Sequence, residues 1–281
     1  MNKEILVCGM GGSGVVGDLL AVILPARRIT TWRSYGLPTA LPGDSLVLII
    51  SYSGTTEETI SSYDEAMRRG LKAAVVTGGG PLLEKAQEDK VPYVKIQYDR
   101  EVPARFAVNN LLRATLEILG ESGRISDNPT ADLSSTAKYL ARKIKDSTVL
   151  IYAPYELAGL GVFWKECLNE TAKLPAFVNM IPEATHNEIE SIDAIPKKHI
   201  LLIRDPRGDK RVWERSDVFA GLARERNWPL SELNLSSHER ITDVMNTLSL
   251  TLETSVELAK MRGVDPYKTP LIDEVKKRMK K

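Results

Sequence analysis

The first hundred residues are punctuated by five short strand-like runs, EILVC, RRITTW, LVLII, KAAVVT and VPYVKI. Between them lie GVVGDLLAVIL, TEETISSYDEAMRRG and PLLEKAQED, which have helical spacing. A strand, a helix and a second strand in succession demand a crossover connection. That connection makes neighbouring strands parallel and covers both faces of the sheet. A longer helical pattern, PARFAVNNLLRATLEILGE, closes this half. At 120–135 the stretch GESGRISDNPTADLSS reads as a linker or long crossing loop. The plan then repeats, with TVLIYAP, PAFVNM, HILLIRDP and LSELNLSS as strands and helices near 158–173, 208–227, 240–262 and 269–280. The expectation is an α/β chain of two doubly wound subdomains, residues 1–130 and 131–281, each a parallel sheet flanked by helices.

Composition excludes several classes of function. At 281 residues and 43% hydrophobic content the chain can fill a sizeable core. Lys and Arg number 38 against 37 Asp and Glu, so no net basic field exists to hold nucleic acid. Cys8 and Cys167 stand alone without CxxC spacing, which fits a reducing compartment. No apolar run reaches the ~20 residues that span a bilayer, and MNKEILVCGMGG enters a strand pattern at once, so a cytoplasmic location is expected, with neither membrane nor nucleic acid as a partner. The three histidines lack metal-ligand spacing and HExxH does not occur, so neither a metal nor another cofactor is expected.

Two loops carry the chemistry. CGMGGSGVVGD places Gly9, Gly11 and Gly14 in a GxGxxG turn, whose backbone N–H groups can approach a phosphate at a helix N-terminus. The same turn occurs in dinucleotide sites, but no Asp or Glu follows in RRITTWRSYG to take ribose hydroxyls. Arg33 could take an NADP phosphate, which leaves an NADP-dependent oxidoreductase as one alternative. The second loop, SYSGTTEE, collects Ser51, Ser53, Gly54, Thr55 and Thr56 where a strand meets a helix start. Hydroxyls and free amides at the positive end of a helix suit the three oxygens of a phosphate monoester. A Thr55–Glu58 capping box explains only one of these residues. Both loops sit at carboxyl ends of strands, so Gly11, Gly12 and Ser13 can face Ser51–Thr56 across one cleft.

The pair GMGGSG and SYSGTTEE resembles the sugar-isomerase (SIS) domain, which binds phosphosugars with its serine/threonine loop. NETAK at 169–173, PEATHNE at 182–188 and RGVDPYKTPLIDEVK near the end extend the similarity to the archaeal bifunctional phosphoglucose/phosphomannose isomerases over nearly the whole chain. The resemblance implies two SIS-type subdomains and metal-free isomerisation of glucose 6-phosphate and mannose 6-phosphate to fructose 6-phosphate through a cis-enediol. It implies Glu170 as the base that moves a proton between C1 and C2, where sequence alone suggests an exposed glutamate paired with Lys165 or Lys173. It raises Arg105, otherwise an ordinary surface arginine, to a cation beside the enediolate. His186 and Lys276 are implied in ring opening, and His199 and His238 read as surface or strand-end residues. Thr269 is either the small residue that admits the mannose epimer or an N-cap before Pro270. A homodimer in which His186 completes the neighbour's site is also implied. The rival from another class is a phosphosugar-binding module without turnover.

Overall fold

The computed structural model of the chain describes residues 4–124 and 133–279. In the first half, β1 (Ile5–Cys8), β2 (Ile29–Trp32), β3 (Leu46–Ser51), β4 (Lys72–Thr77) and β5 (Tyr93–Lys95) form one sheet in the order β2-β1-β3-β4-β5. Every pairing in it is parallel, as the crossovers require. A second parallel sheet takes β6 (Thr148–Ala153), β7 (Ala176–Met180), β8 (Lys198–Arg204) and β9 (Leu230–Asn234) in the order β7-β6-β8-β9. The central strands read as unbroken apolar runs because helices cover both of their faces.

Helices α1 (Gly11–Ile23), α2 (Glu57–Arg68), α3 (Gly80–Glu88) and α4 (Val108–Ile118) belong to the first half. The second contributes α5 (Ser134–Ile144), α6 (Ala158–Glu170), α7 (Lys210–Glu225), α8 (Arg240–Arg262) and α9 (Pro270–Met279). One apolar core joins the halves: residues of α1 and α4 pack with residues of α5, α6 and α8 in the layer between the two sheets. The outer faces have smaller cores of their own, under α2 and α3 on one side and α7 on the other. The halves approach closely at Gly159 of α6, where an added Cβ would lie 2.6 Å from the carbonyl carbon of Asp18 on α1. Only glycine lets α6 cross α1 at that distance, and this crossing fixes the C-terminal end of α6 relative to the glycine turn.

Helix α5 is the element that sequence reading missed. It begins inside the stretch taken for a linker, yet Ala137, Leu140, Ala141 and Ile144 show helical spacing and are all buried. The expected boundary between residues 130 and 131 lies outside the described residues. Among the described residues no helix is long and apolar enough to cross a membrane.

His199 is not a surface residue. It is the second residue of β8, 2% exposed, with Nε2 2.9 Å from Ser231 Oγ on β9. Burial, and secondarily the charge of Lys143, pulls its pKa from 6.5 to about 4. The unfolded chain therefore accepts a proton that the folded chain refuses. The stability this group contributes is complete above its unfolded value and drains away as pH falls toward 4. Urea unfolding of the wild type is expected to lose about 3 kcal/mol from this group between neutrality and pH 4, and His199→Asn should lack that component.

Candidate active site

In the first sheet the chain reverses direction of winding between β1 and β3: α1 packs on the inner face and α2 on the outer. The loops that leave these two strands therefore part and open a crevice at their carboxyl ends. Ser13 Oγ accepts a hydrogen bond from the Tyr52 backbone N–H at 3.1 Å, which joins the glycine turn to the serine/threonine loop. Ser51, fully buried, accepts from Gly54 N at 3.1 Å and donates to Thr56 Oγ1 at 3.1 Å. Ser53 Oγ and Thr55 Oγ1 lie 2.9 Å apart at the solvent side. Thr56, not Thr55, holds the N-cap position before α2, and no side chain caps that end. The capping box does not form. The first-turn amides of α2 are left without a side-chain acceptor, beside four hydroxyls. Neutral donors gathered at the helix's positive end form a cradle that can hold an anion.

Gly54 makes the cradle possible. Its φ is +69°, and a Cβ there would stand 1.6 Å from the Gly79 carbonyl oxygen. Gly12 serves the other loop, since a Cβ on it would lie 2.7 Å from the Arg105 backbone nitrogen. Arg105 belongs to a 3-10 turn over Ala104–Ala107 that opens α4, and the glycine turn rests directly on it.

The side chain of Arg105 is 3% exposed, so it is not a surface arginine. Its Nε donates to Thr171 Oγ1 at 2.8 Å, one terminal nitrogen to Glu170 Oε2 at 3.0 Å and the other to the Pro266 carbonyl at 2.5 Å. Burial pulls the guanidinium pKa down, and the charge of Glu170 works against that pull. Glu170 ends α6 and is 27% exposed, a carboxylate with one oxygen anchored and one face toward solvent. Lys173 does not pair with this carboxylate. With φ at +53° its chain turns back, and Nζ donates to the carbonyls of Glu170 at 2.6 Å, Asp265 at 2.7 Å and Lys268 at 2.7 Å. Phe106 meets Tyr267 with ring centroids 5.1 Å apart. Together Arg105, Lys173 and Phe106 clip the 263–269 loop onto the end of α6. Thr269 follows on that loop, half-buried, immediately before α9, and its carbonyl accepts from Asp273 N at 3.0 Å.

His186 and Lys276 stand apart from this cluster. His186 is exposed, with Nε2 3.3 Å from an Arg215 terminal nitrogen. Its loop is fastened by Glu188, which accepts from Tyr152 Oη at 2.6 Å and Asn179 Nδ2 at 2.5 Å. Lys276 lies on α9, none of whose described residues is buried. Arg33, the candidate for a dinucleotide phosphate, is ion-paired with Asp18 and covers Gly14. Sequence reading missed Thr171, Lys173 and Glu188 as site-building residues, although each sits inside a motif it had singled out.

Residues 133–279 match the family model described as bacterial phospho-glucose isomerase C-terminal SIS domain. The chain is 30% identical to a bifunctional phosphoglucose/phosphomannose isomerase of Aquifex aeolicus, with 99% of this chain and 91% of that protein covered. It is 29% identical to the protein of the same description from Pyrobaculum calidifontis, covering 99% of this chain and 89% of that one. The crystal structure of tagatose-6-phosphate ketose/aldose isomerase from Escherichia coli superposes with a TM-score of 0.70 at 15% identity, covering 95% of this chain and 85% of that one, a likeness of fold.

The glycine geometry gives a paired expectation. Gly54→Ala should cost at least about 3 kcal/mol in urea unfolding, because overlap with Gly79 adds to backbone strain. Gly36→Ala, at φ +59° with open space around its Cβ position, should cost only about 1 kcal/mol.

Proposed function

The chain belongs to the bifunctional phosphoglucose/phosphomannose isomerase family, and on that premise we propose how its residues carry the interconversion of glucose 6-phosphate and mannose 6-phosphate with fructose 6-phosphate. The observation that supports this assignment of roles most is the Arg105 cluster, in which one buried cation touches the glycine turn through its backbone and Glu170 through its side chain.

The phosphate sits in the cradle of Ser51, Ser53, Thr55 and Thr56, with Gly11, Gly12 and Ser13 closing its other side. Neutral donors there hold a dianion without the deep well that a cation pair would create, so product can leave. The sugar, opened to its chain form, extends toward the end of α6. Glu170 removes the proton from C2 of the aldose and returns it to C1, leaving a cis-enediol between the two steps. Arg105 fixes Glu170 Oε2, which leaves the other oxygen for the carbon, and its charge lies beside the oxygen that turns negative. No step calls for a metal or another cofactor. Thr269, small and next to the clipped loop, leaves room for rotation about C2–C3, which presents the mannose epimer to the same base.

His186 and Lys276 act at the ring oxygen. Exposure of both on the single chain supports a homodimer in which His186 reaches the neighbouring site. Two free, buried cysteines and the absence of any long apolar helix among the described residues agree with a cytoplasmic enzyme.

A coupled assay of fructose 6-phosphate formation from both aldoses should show Glu170→Gln down by about a thousandfold in kcat with KM little changed. A wild-type rate would remove Glu170 from the base role. Mixing inactive Glu170→Gln and His186→Asn subunits should restore about a quarter of wild-type activity if sites are shared, since half the dimers then carry one intact site. No recovery after confirmed subunit exchange would place His186 within its own chain's site.

A further inference from the structure

Glu166 precedes Glu170 by four residues on α6, so the two carboxyl groups share one helix face, with Cβ atoms about 6 Å apart. Glu166 is half-buried, and its Oε2 is closed off from solvent without a hydrogen-bond partner. The charged groups that face it are Glu170 and Lys165 on α6, Asp18 on α1 and Arg33 after β2. The one guanidinium among them is not spare, since Arg33 pairs with Asp18, while Glu170 has its own cation in Arg105. A carboxylate oxygen in this position meets neither bulk solvent nor a protein donor, whereas a protonated oxygen needs much less solvation.

We propose that Glu166 is a positioning residue for the isomerisation, holding a proton one turn before Glu170 so that, of the two adjacent carboxyl groups, Glu170 alone carries the negative charge and acts as base. Burial first, and then the charge of Glu170, raises the Glu166 pKa from 4.5 to about 7, against the pull of Arg33 and Lys165. The arrangement divides labour between two like groups: the one with a cation is ionised, and the one without keeps its proton. The role rests on Glu170 being the base, but the titration of Glu166 is measurable without any turnover.

The test is carbon-13 NMR of the full-length enzyme labelled at glutamate side-chain carboxyls, with the Glu166 signal assigned by its loss in Glu166→Gln. The expected midpoint is near neutrality, and it should fall in Glu170→Gln, where the neighbouring charge is gone. In kinetics, an ionisation near neutrality in the pH profile of kcat/KM should disappear in Glu166→Gln. Stability supplies a readout that survives low activity. A carboxyl group whose folded pKa is raised loses its stabilising contribution as pH rises through that value, so the Tm of Glu166→Gln should gain on the wild type between about pH 5 and about pH 8. A Glu166 midpoint in the ordinary glutamate range, or one unmoved in Glu170→Gln, overturns the proposal while leaving the base assignment intact. Wild-type turnover by Glu170→Gln overturns the base assignment, and with it the role of Glu166, even if the coupled titration is seen.

Discussion

A guanidinium that is 3% exposed has surrendered almost all of its hydration, and such a cation is tolerable only where acceptors surround it. Arg105 finds three, on two segments that are distant from it in sequence: Glu170 and Thr171 at the end of α6, and Pro266. Its backbone meanwhile bears on Gly12. Removing the side chain would strand a carboxylate and release a loop, so the cost falls on the whole assembly and not on one contact. The glycine turn, the end of α6 and the 263–269 loop are thus one mechanical unit, and the Gly159 crossing of α6 over α1 sets where that unit sits.

The two sheets share an architecture, but only the first opens onto a glycine turn facing a cluster of hydroxyls. At the end of β8 the position corresponding to the serine/threonine loop holds Asp205, whose side chain is fully buried and paired with Arg207 at 2.7 Å and Arg240 at 3.4 Å. Arg207 continues to Asp243 at 2.7 Å, and Asp243 accepts the backbone N–H groups of Ser236 and Ser237. After β6 comes Pro154 and a 3-10 turn over Tyr155–Leu157 instead of a glycine turn. The second crevice is therefore satisfied from within by its own ion pairs. The second half supplies instead the carboxylate of Glu170 and the loop that carries Thr269. In the proposed arrangement each half holds one end of the substrate, and the shared apolar core joins the two halves.

The strands and the two loops at their carboxyl ends were legible because each is a local pattern: an apolar run, a glycine spacing, a cluster of hydroxyls at a helix start. Helix α5 was legible too, in the spacing of Ala137, Leu140, Ala141 and Ile144, but the polar stretch before it drew the reading toward a loop. Burial of single polar residues was not legible. His199 follows two lysines and looks like a strand end, yet it is buried, with the Ser231 hydroxyl of β9 against its ring. Arg105 and Lys173 act through contacts across 65 to 161 positions and 3 to 95 positions respectively, which no periodicity records. The resemblance in NETAK pointed to Glu170. It was the fold that showed what holds Glu170, and that Glu166 stands behind it.

The central claim is that one sugar phosphate spans from the hydroxyl cradle to Glu170. A crystal structure of the Glu170→Gln enzyme with fructose 6-phosphate tests it directly. The phosphorus should lie among Ser51, Ser53, Thr55 and Thr56, with C1 and C2 both about 3–3.5 Å from a side-chain atom of residue 170. A phosphate bound elsewhere, or carbons several ångströms beyond that reach with the phosphate in the cradle, would contradict the account.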